Sequence, residues 1–195
     1  MQALPKVPQS IPRTNAPTKQ KLGCWLLKIT GWTVVGEFPE EKKMIMAVAP
    51  HTSNWDFLVG LMTKMALDLR LNFLGKHTIF VGPLGVWLRS IGGIAIDRRS
   101  PHGVVGDMVE QFNRSEQLIL AIAPEGTRSK VPNWKSGFLQ MARQARVPVF
   151  PIQFNYVKKQ IEFMPIRYIG DDIDAELTDF KALFNGGCAK NPQLF

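Results

Sequence analysis

The stretch 44-MIMAVAPHTSNWDFLVGLMTKMALDL-69 decides the fold class. Residues 44–49 form an unbroken apolar run of strand length, too short for a helix of its own. Pro50 closes that run, and Thr52, Ser53 or Asn54 is a suitable N-cap for a helix beginning around Trp55. Residues 57–69 then carry apolar side chains at helical spacing. A short apolar strand feeding such a helix is half of a βαβ unit, whose strands lie in a sheet covered on both faces.

The alternation continues along the chain. "HTIFV" (77–81) reads as a short strand, "PLGVWLRSI" (83–91) as a helix, "GIAI" (93–96) as a strand and "GVVGDMVEQFNR" (103–114) as a helix. "LILAIAP" (118–124) is the strongest strand signal, and "SGFLQMARQA" (136–145) a helix that stops before Pro148. "VPVFPIQFNYV" (147–157) and "IEFMPIRYI" (161–169) read as two more strands, and "DAELTDFKALF" (174–184) as a closing helix with Gly186 as its stop. The expectation is a single α/β domain over residues 21–195, with a mostly parallel or mixed central sheet covered by helices on both faces.

Composition agrees. The chain has 195 residues, 45% apolar and 21% charged, enough for one core and too few for two full domains. The formal net charge of +8 favours an anionic partner, either nucleic acid or an acidic membrane surface. Cys24 and Cys188 lie far apart without ligand spacing, so neither a disulfide framework nor a zinc site is indicated, no metal is expected, and a reducing, cytoplasmic setting is the default. Residues 1–20, with prolines at 5, 8, 12 and 17 and no apolar h-region, read as a mobile tail and not as a signal peptide. No segment approaches the ~20 apolar residues of a membrane-spanning helix. Within an amphipathic N-terminal helix (21–31), Leu22, Trp25, Leu26 and Ile29 share one face, suited either to a membrane interface or to the protein's own core.

Candidate chemistry gathers at the strand ends. Asp56 falls in the first helical turn, where the helix dipole favours a carboxylate. His51 lies in the loop before it. Two helical residues five apart would point about 140° away from each other. If the loop folds back, however, the ring meets Asp56, which then fixes the tautomer and strengthens the other ring nitrogen as a base. Ser53 is a second candidate, as a covalent nucleophile, but its capping role already accounts for it and no G-x-S-x-G elbow is present.

Two other strand ends deliver arginine beside glycine. "PEGTRSKVPNWKSG" follows the strongest strand with Glu125, Gly126, Thr127 and Arg128, and "GGIAIDRRS" runs into Asp97 and Arg98. Open α/β sheets hold ligands at such carboxyl ends. Glycine admits a bulky anion to the backbone, and the planar guanidinium donates two hydrogen bonds to a phosphate. Together with His51 and Asp56, these residues read as a phosphate-binding active site.

These residues carry a resemblance. "HTSNWD" is similar to the H-x-x-x-x-D block of the glycerolipid acyltransferases, the lysophosphatidate acyltransferase (PlsC-like) family. "GGIAIDR" resembles that family's G-x-x-F-I-D-R block, "PEGTRS" its F-P-E-G-T-R-S block and "VPVFPIQF" its V-P-I-x-P-V type block, in the family's order over roughly residues 20 to 170. Ala95 and Ala123 stand where the second and third blocks usually have phenylalanine, a departure bearing on substrate identity more than on reaction type. The resemblance implies a glycerol-3-phosphate acyltransferase-like fold. It also implies transfer of a fatty acyl group from a thioester, on coenzyme A or acyl carrier protein, to the hydroxyl of a lysophospholipid such as 1-acyl-sn-glycerol 3-phosphate. His51 would be the general base and Asp56 its orienting carboxylate; Gly126, Thr127, Arg128 and Arg98 would contact phosphate, with Glu125 and Asp97 in support. No cofactor beyond the acyl thioester is expected. Lipid substrates imply peripheral contact with an anionic membrane, at its inner, cytoplasmic face, through residues such as Trp25 or Trp87. A thioesterase or phosphatase using the same pair is the alternative reading. A nucleic-acid binder ranks below it, because the arginines sit at strand ends and not along one helix with aromatics.

Overall fold

A computed structural model describes residues 4–96, 103–131 and 133–195. Seven strands form one sheet: β1 (Thr33–Val35), β2 (Lys43–Ala49), β3 (Asn72–Lys76), β4 (Gly93–Ile96), β5 (Leu118–Ile122), β6 (Val149–Asn155) and β7 (Gln160–Phe163). Their order is β1-β7-β6-β2-β5-β3-β4. The five strands from β6 to β4 run parallel, while β7 is antiparallel to β6 and carries β1 parallel to itself. Among the described residues six α-helices accompany the sheet: α1 (Pro17–Thr30), α2 (Asn54–Ala66), α3 (Gly82–Ser90), α4 (Gly103–Arg114), α5 (Gly137–Ala145) and α6 (Ile173–Ala182).

The central strand shows why this sequence makes a two-sided sheet. Side chains alternate across a strand, so Met44 and Met46 join Leu27 of α1 and Val59 and Ala66 of α2 in one core. Ile45, Ala47 and Ala49 point the other way, into a core with Phe112 of α4, Leu139 of α5 and Phe180 of α6. With β5 on one side and β6 on the other, β2 is hydrogen-bonded along both edges. That environment is the reason its residues read as a continuous apolar run.

Several boundaries differ from the sequence expectation. "HTIFV" is not a strand: His77–Ile79 is a single 3-10 turn, and the strand is the preceding Asn72–Lys76. Its asparagine, glycine and lysine obscure the pattern, and only pairing with β4 and β5 makes it a strand. The last strand is confined to Gln160–Phe163, ending ahead of Pro165, after which Arg167 makes one isolated bridge to Val149. The short β1, held by β7, was not anticipated.

The N-terminal segment corrects the expectation of a mobile tail. Val7 and Ile11 are buried in the α1–α2 core. Arg13 donates to the Val7 carbonyl at 2.7 Å, and the Asp68 carboxylate accepts from the Thr14 hydroxyl and the Ala16 amide. Prolines need no partner for a backbone donor and lose less entropy on ordering, so a proline-rich segment packs readily once apolar anchors are available. Helix α1 accordingly begins at Pro17, ahead of the expected residue 21.

Helix α1 meets α2 through its small residues. Gly23 and Leu27 are buried, and a Cβ on Gly23 would overlap the backbone where Met65 joins Ala66. The apolar stripe of Leu22, Trp25 and Ile29 therefore faces outward, with Trp25 55% exposed.

Candidate active site

The loop that carries His51 hangs from the carboxyl end of β2. Register places Ala47 beside Ile122 of β5 and Ala49 beside Gln153 of β6, so the segments leaving all three strands emerge at one edge of the sheet. The residues after β2 are then pinned one by one. The His51 amide donates to both oxygens of Glu125, at 2.9 and 3.0 Å. Thr52 accepts twice from Asn191, at its hydroxyl (3.2 Å) and its carbonyl (2.9 Å). Ser53 caps α2 as anticipated: its hydroxyl accepts from the Trp55 amide at 3.2 Å, and its own amide donates to Asp56 Oδ2 at 2.8 Å, a reciprocal capping box.

Folded back in this way, the loop brings His51 Nδ1 to 3.2 Å from Asp56 Oδ2. The carboxylate is 1% exposed while the imidazole keeps 20% of its surface. Asp56 Oδ1 is occupied separately, by the Tyr156 hydroxyl at 2.6 Å. Burial works to raise the Asp56 pKa, but hydrogen bonds from His51, Tyr156 and Ser53 outweigh it and hold the carboxyl below its ordinary range. Asp56 is therefore an anion at neutral pH. An imidazole donating from Nδ1 to that anion carries its lone pair on Nε2, the arrangement a general base requires.

Glu125 behaves in the opposite way. Burial pushes its carboxyl up to about 7, against the lowering effect of the His51 amide. It faces the His51 backbone and not the ring, so it positions the loop. Beyond it, Gly126 adopts a left-handed conformation (φ 68°) and its amide donates to the Ala123 carbonyl, a turn that turns the chain outward. Thr127 and Arg128 follow as exposed residues, and the side chain of Lys135 lies across Gly126. The Glu125 bridge thus brings the Gly126–Thr127–Arg128 turn beside the His51 loop. Strand β4 also ends at this edge, but Asp97 and Arg98 lie outside the described residues.

Two contributors were not found from the sequence. Tyr156 follows β6, beside β2, so its place at a strand's carboxyl end is a signal that was available. Asn191 lies beyond the last helix, in a segment with no motif to mark it. The same segment sets Lys190 Nζ 5.4 Å from the Trp55 ring and 5.5 Å from the Tyr156 ring. A surface cavity of about 360 Å³ that includes Arg70, Asn72 and Leu118 lies at the opposite edge of the sheet and takes no part here.

Comparison with known proteins agrees with this architecture. The Acyltransferase family model matches residues 31–155, which include the His51 loop, the Glu125–Arg128 turn and β6. The chain belongs to the acyltransferase family. It is 30% identical over 161 residues to a probable 1-acyl-sn-glycerol-3-phosphate acyltransferase of Mycoplasma pneumoniae, covering 74% of this chain and 59% of that protein. It is 28% identical over 123 residues to human 1-acyl-sn-glycerol-3-phosphate acyltransferase beta, covering 60% of this chain and 43% of that one. The chain thus spans about half the length of these relatives. The crystal structure of the 1-acyl-sn-glycerophosphate acyltransferase PlsC from Thermotoga maritima has the same fold, with a TM-score of 0.57 at 19% identity, over 86% of this chain and 78% of that one. Neither a hydrolase nor a nucleic-acid binder finds support among these relatives.

Proposed function

We propose that the protein transfers a fatty acyl group from an acyl thioester, on coenzyme A or acyl carrier protein, to the free hydroxyl of a lysophospholipid, 1-acyl-sn-glycerol 3-phosphate being the acceptor that the relatives' names favour. The observation that carries this is the 3.2 Å contact of His51 Nδ1 with the buried, ionised Asp56. In the reaction, the acceptor oxygen attacks the thioester carbonyl carbon as His51 Nε2 takes its proton. The tetrahedral intermediate then collapses, breaking the C–S bond, and the imidazolium returns the proton to the leaving thiolate. Asp56 stabilises the imidazolium throughout. Arg128, on the turn opened by Gly126 and Thr127, binds the acceptor's phosphate, joined by Arg98; Glu125 sets the loop and Asp97 supports Arg98.

The same reading includes peripheral membrane contact in phospholipid synthesis. Among the described residues no helix is long and apolar enough to cross a membrane. Leu22, Trp25 and Ile29 on α1, Trp55 and Leu58 on α2, and Leu84 and Trp87 on α3 are nonetheless exposed apolar side chains on the helices preceding β4. Such side chains beside basic residues suit an anionic bilayer surface.

Purified protein incubated with acyl-CoA or acyl carrier protein thioester, with and without a panel of lysophospholipids, tests the reaction. Product analysis by mass spectrometry should show acceptor-dependent ester formation, abolished in His51→Ala. Release of free fatty acid at a rate indifferent to the acceptor would overturn the proposal.

A further inference from the structure

Asp56 has two oxygens with different partners. Oδ2 takes the His51 ring and the Ser53 amide, and among the described residues Oδ1 takes only the Tyr156 hydroxyl. The carboxylate is 1% exposed, so bulk solvent does not reach Oδ1. A buried carboxylate oxygen without a donor is unfavourable. It would be relieved by rotating the carboxylate or by protonating it, and either change weakens its hold on His51.

Tyr156 is itself fixed. Its ring meets Trp32 edge-on at a centroid distance of 4.9 Å, and its amide donates to the Cys188 carbonyl at 2.8 Å. Burial first, and the bond to Asp56 second, push its hydroxyl pKa far above the ordinary range, so it remains a donor at any working pH. The other charged groups around the pair are Glu125, which faces the His51 amide, Lys181, whose charge acts on Glu125, and Lys190 over the Tyr156 ring. Glu125 and Lys190 are engaged elsewhere, at the His51 amide and at the aromatic rings.

We infer that Tyr156 is a positioning residue for the His51–Asp56 pair, its hydroxyl locking the plane of the Asp56 carboxylate so that Oδ2 stays aimed at the imidazole. This rests on the pair acting in catalysis. On this inference Tyr156 acts on the reaction through Asp56, which its hydroxyl meets at Oδ1.

The test is a cycle of four full-length proteins: wild type, Y156F, D56N and Y156F/D56N. Phenylalanine keeps the ring against Trp32 and removes only the donor, and thermal unfolding of each protein checks its fold. Y156F is expected to lower kcat about tenfold with KM for both substrates within twofold of wild type. Adding it to D56N should lower kcat less than twofold further, because its only route to the reaction is then gone. A kcat within twofold of wild type in Y156F, or the same tenfold loss in both backgrounds, would overturn the inference. If D56N leaves no measurable turnover, the cycle is read from unfolding midpoints. Y156F should then lower the midpoint more in the wild-type background than in D56N, whose neutral amide oxygen is the weaker acceptor, and equal shifts overturn the proposal. Failure of the underlying dyad is distinguishable: H51A would retain turnover, whatever the cycle shows.

Discussion

The backbone amide of His51 is clasped between the two carboxylate oxygens of Glu125, at 2.9 and 3.0 Å. This contact joins the ends of β2 and β5 and sets two sequence motifs 74 residues apart in fixed relation. Its strength depends on charge, because an ionised carboxylate is the better acceptor of the pair.

Burial of the same carboxyl outweighs the bond and sets how stability varies with pH. Glu125 is raised to about 7 from an ordinary 4.5, so between those values the folded protein holds a proton that the unfolded chain has lost. Stability therefore falls as pH rises through this window, by on the order of 3 kcal/mol, and levels off above it. Asp56 has the opposite sign: its lowered pKa contributes stability above the ordinary carboxylate range, and that contribution is lost as pH falls through its folded value. Urea unfolding at about pH 5 and pH 8 should show the decline in wild type and a flatter dependence in Glu125→Gln. An equally steep decline in that variant would remove Glu125 as its source.

Ser53→Ala should separate capping from catalysis. Losing the hydroxyl that accepts from Trp55 should lower stability by about 1 kcal/mol. Turnover of the folded enzyme should stay within a fewfold of wild type, since direct attack needs no serine. Mass-spectrometric detection of an acyl-enzyme on Ser53 would refute direct transfer.

Gly23→Ala should destabilise, against the usual sign. At an ordinary helical site this change gains roughly 1 kcal/mol. Here the new methyl would strike backbone atoms of α2 that have no rotamer to retreat into, an overpacking that costs about 1–3 kcal/mol. A raised unfolding midpoint would show that α1 shifts away without penalty.

The exposed stripe of α1 predicts a dissociation of binding from folding. Replacing Leu22, Trp25 and Ile29 together by serine should leave the unfolding midpoint nearly unchanged and reduce sedimentation with liposomes containing anionic lipid several-fold. Leu27→Ala should do the reverse, costing about 2–4 kcal/mol of stability, because Leu27 is only 3% exposed. Equal sedimentation with neutral and anionic liposomes would remove the electrostatic part of the membrane proposal.

How much of this was legible in the sequence follows from distance along the chain. His51, Ser53 and Asp56 lie within one loop and one helical turn, so their meeting was a local question that capping chemistry answered. The helix positions around them, and the central strands β2, β5 and β6, were read from runs strong enough to override their neighbours. β3 was displaced by a few residues because its side chains are only partly buried and its identity comes from partners in the sheet. Tyr156 reaches Asp56 across 100 residues and Asn191 reaches Thr52 across 139, and no periodicity encodes such contacts. The proline-rich start misled because composition reports the tendency of a free chain, while Val7 and Ile11 are held by a core formed elsewhere. The stripe of α1 stayed open between membrane and core for a related reason: the helix packs against α2 at Gly23, which hydropathy does not weigh.

The central strand gives the site a property of its own in time. β2 is paired along both edges and covered on both faces, so its amides should be among the last in the protein to exchange with solvent deuterium. His51 lies two residues past the end of that strand, and Glu125 three past the end of its neighbour. Fraying of β1, β7 or β4 at the margins of the sheet can therefore come and go while the dyad stays assembled, and its lifetime is that of the sheet's most slowly opening part.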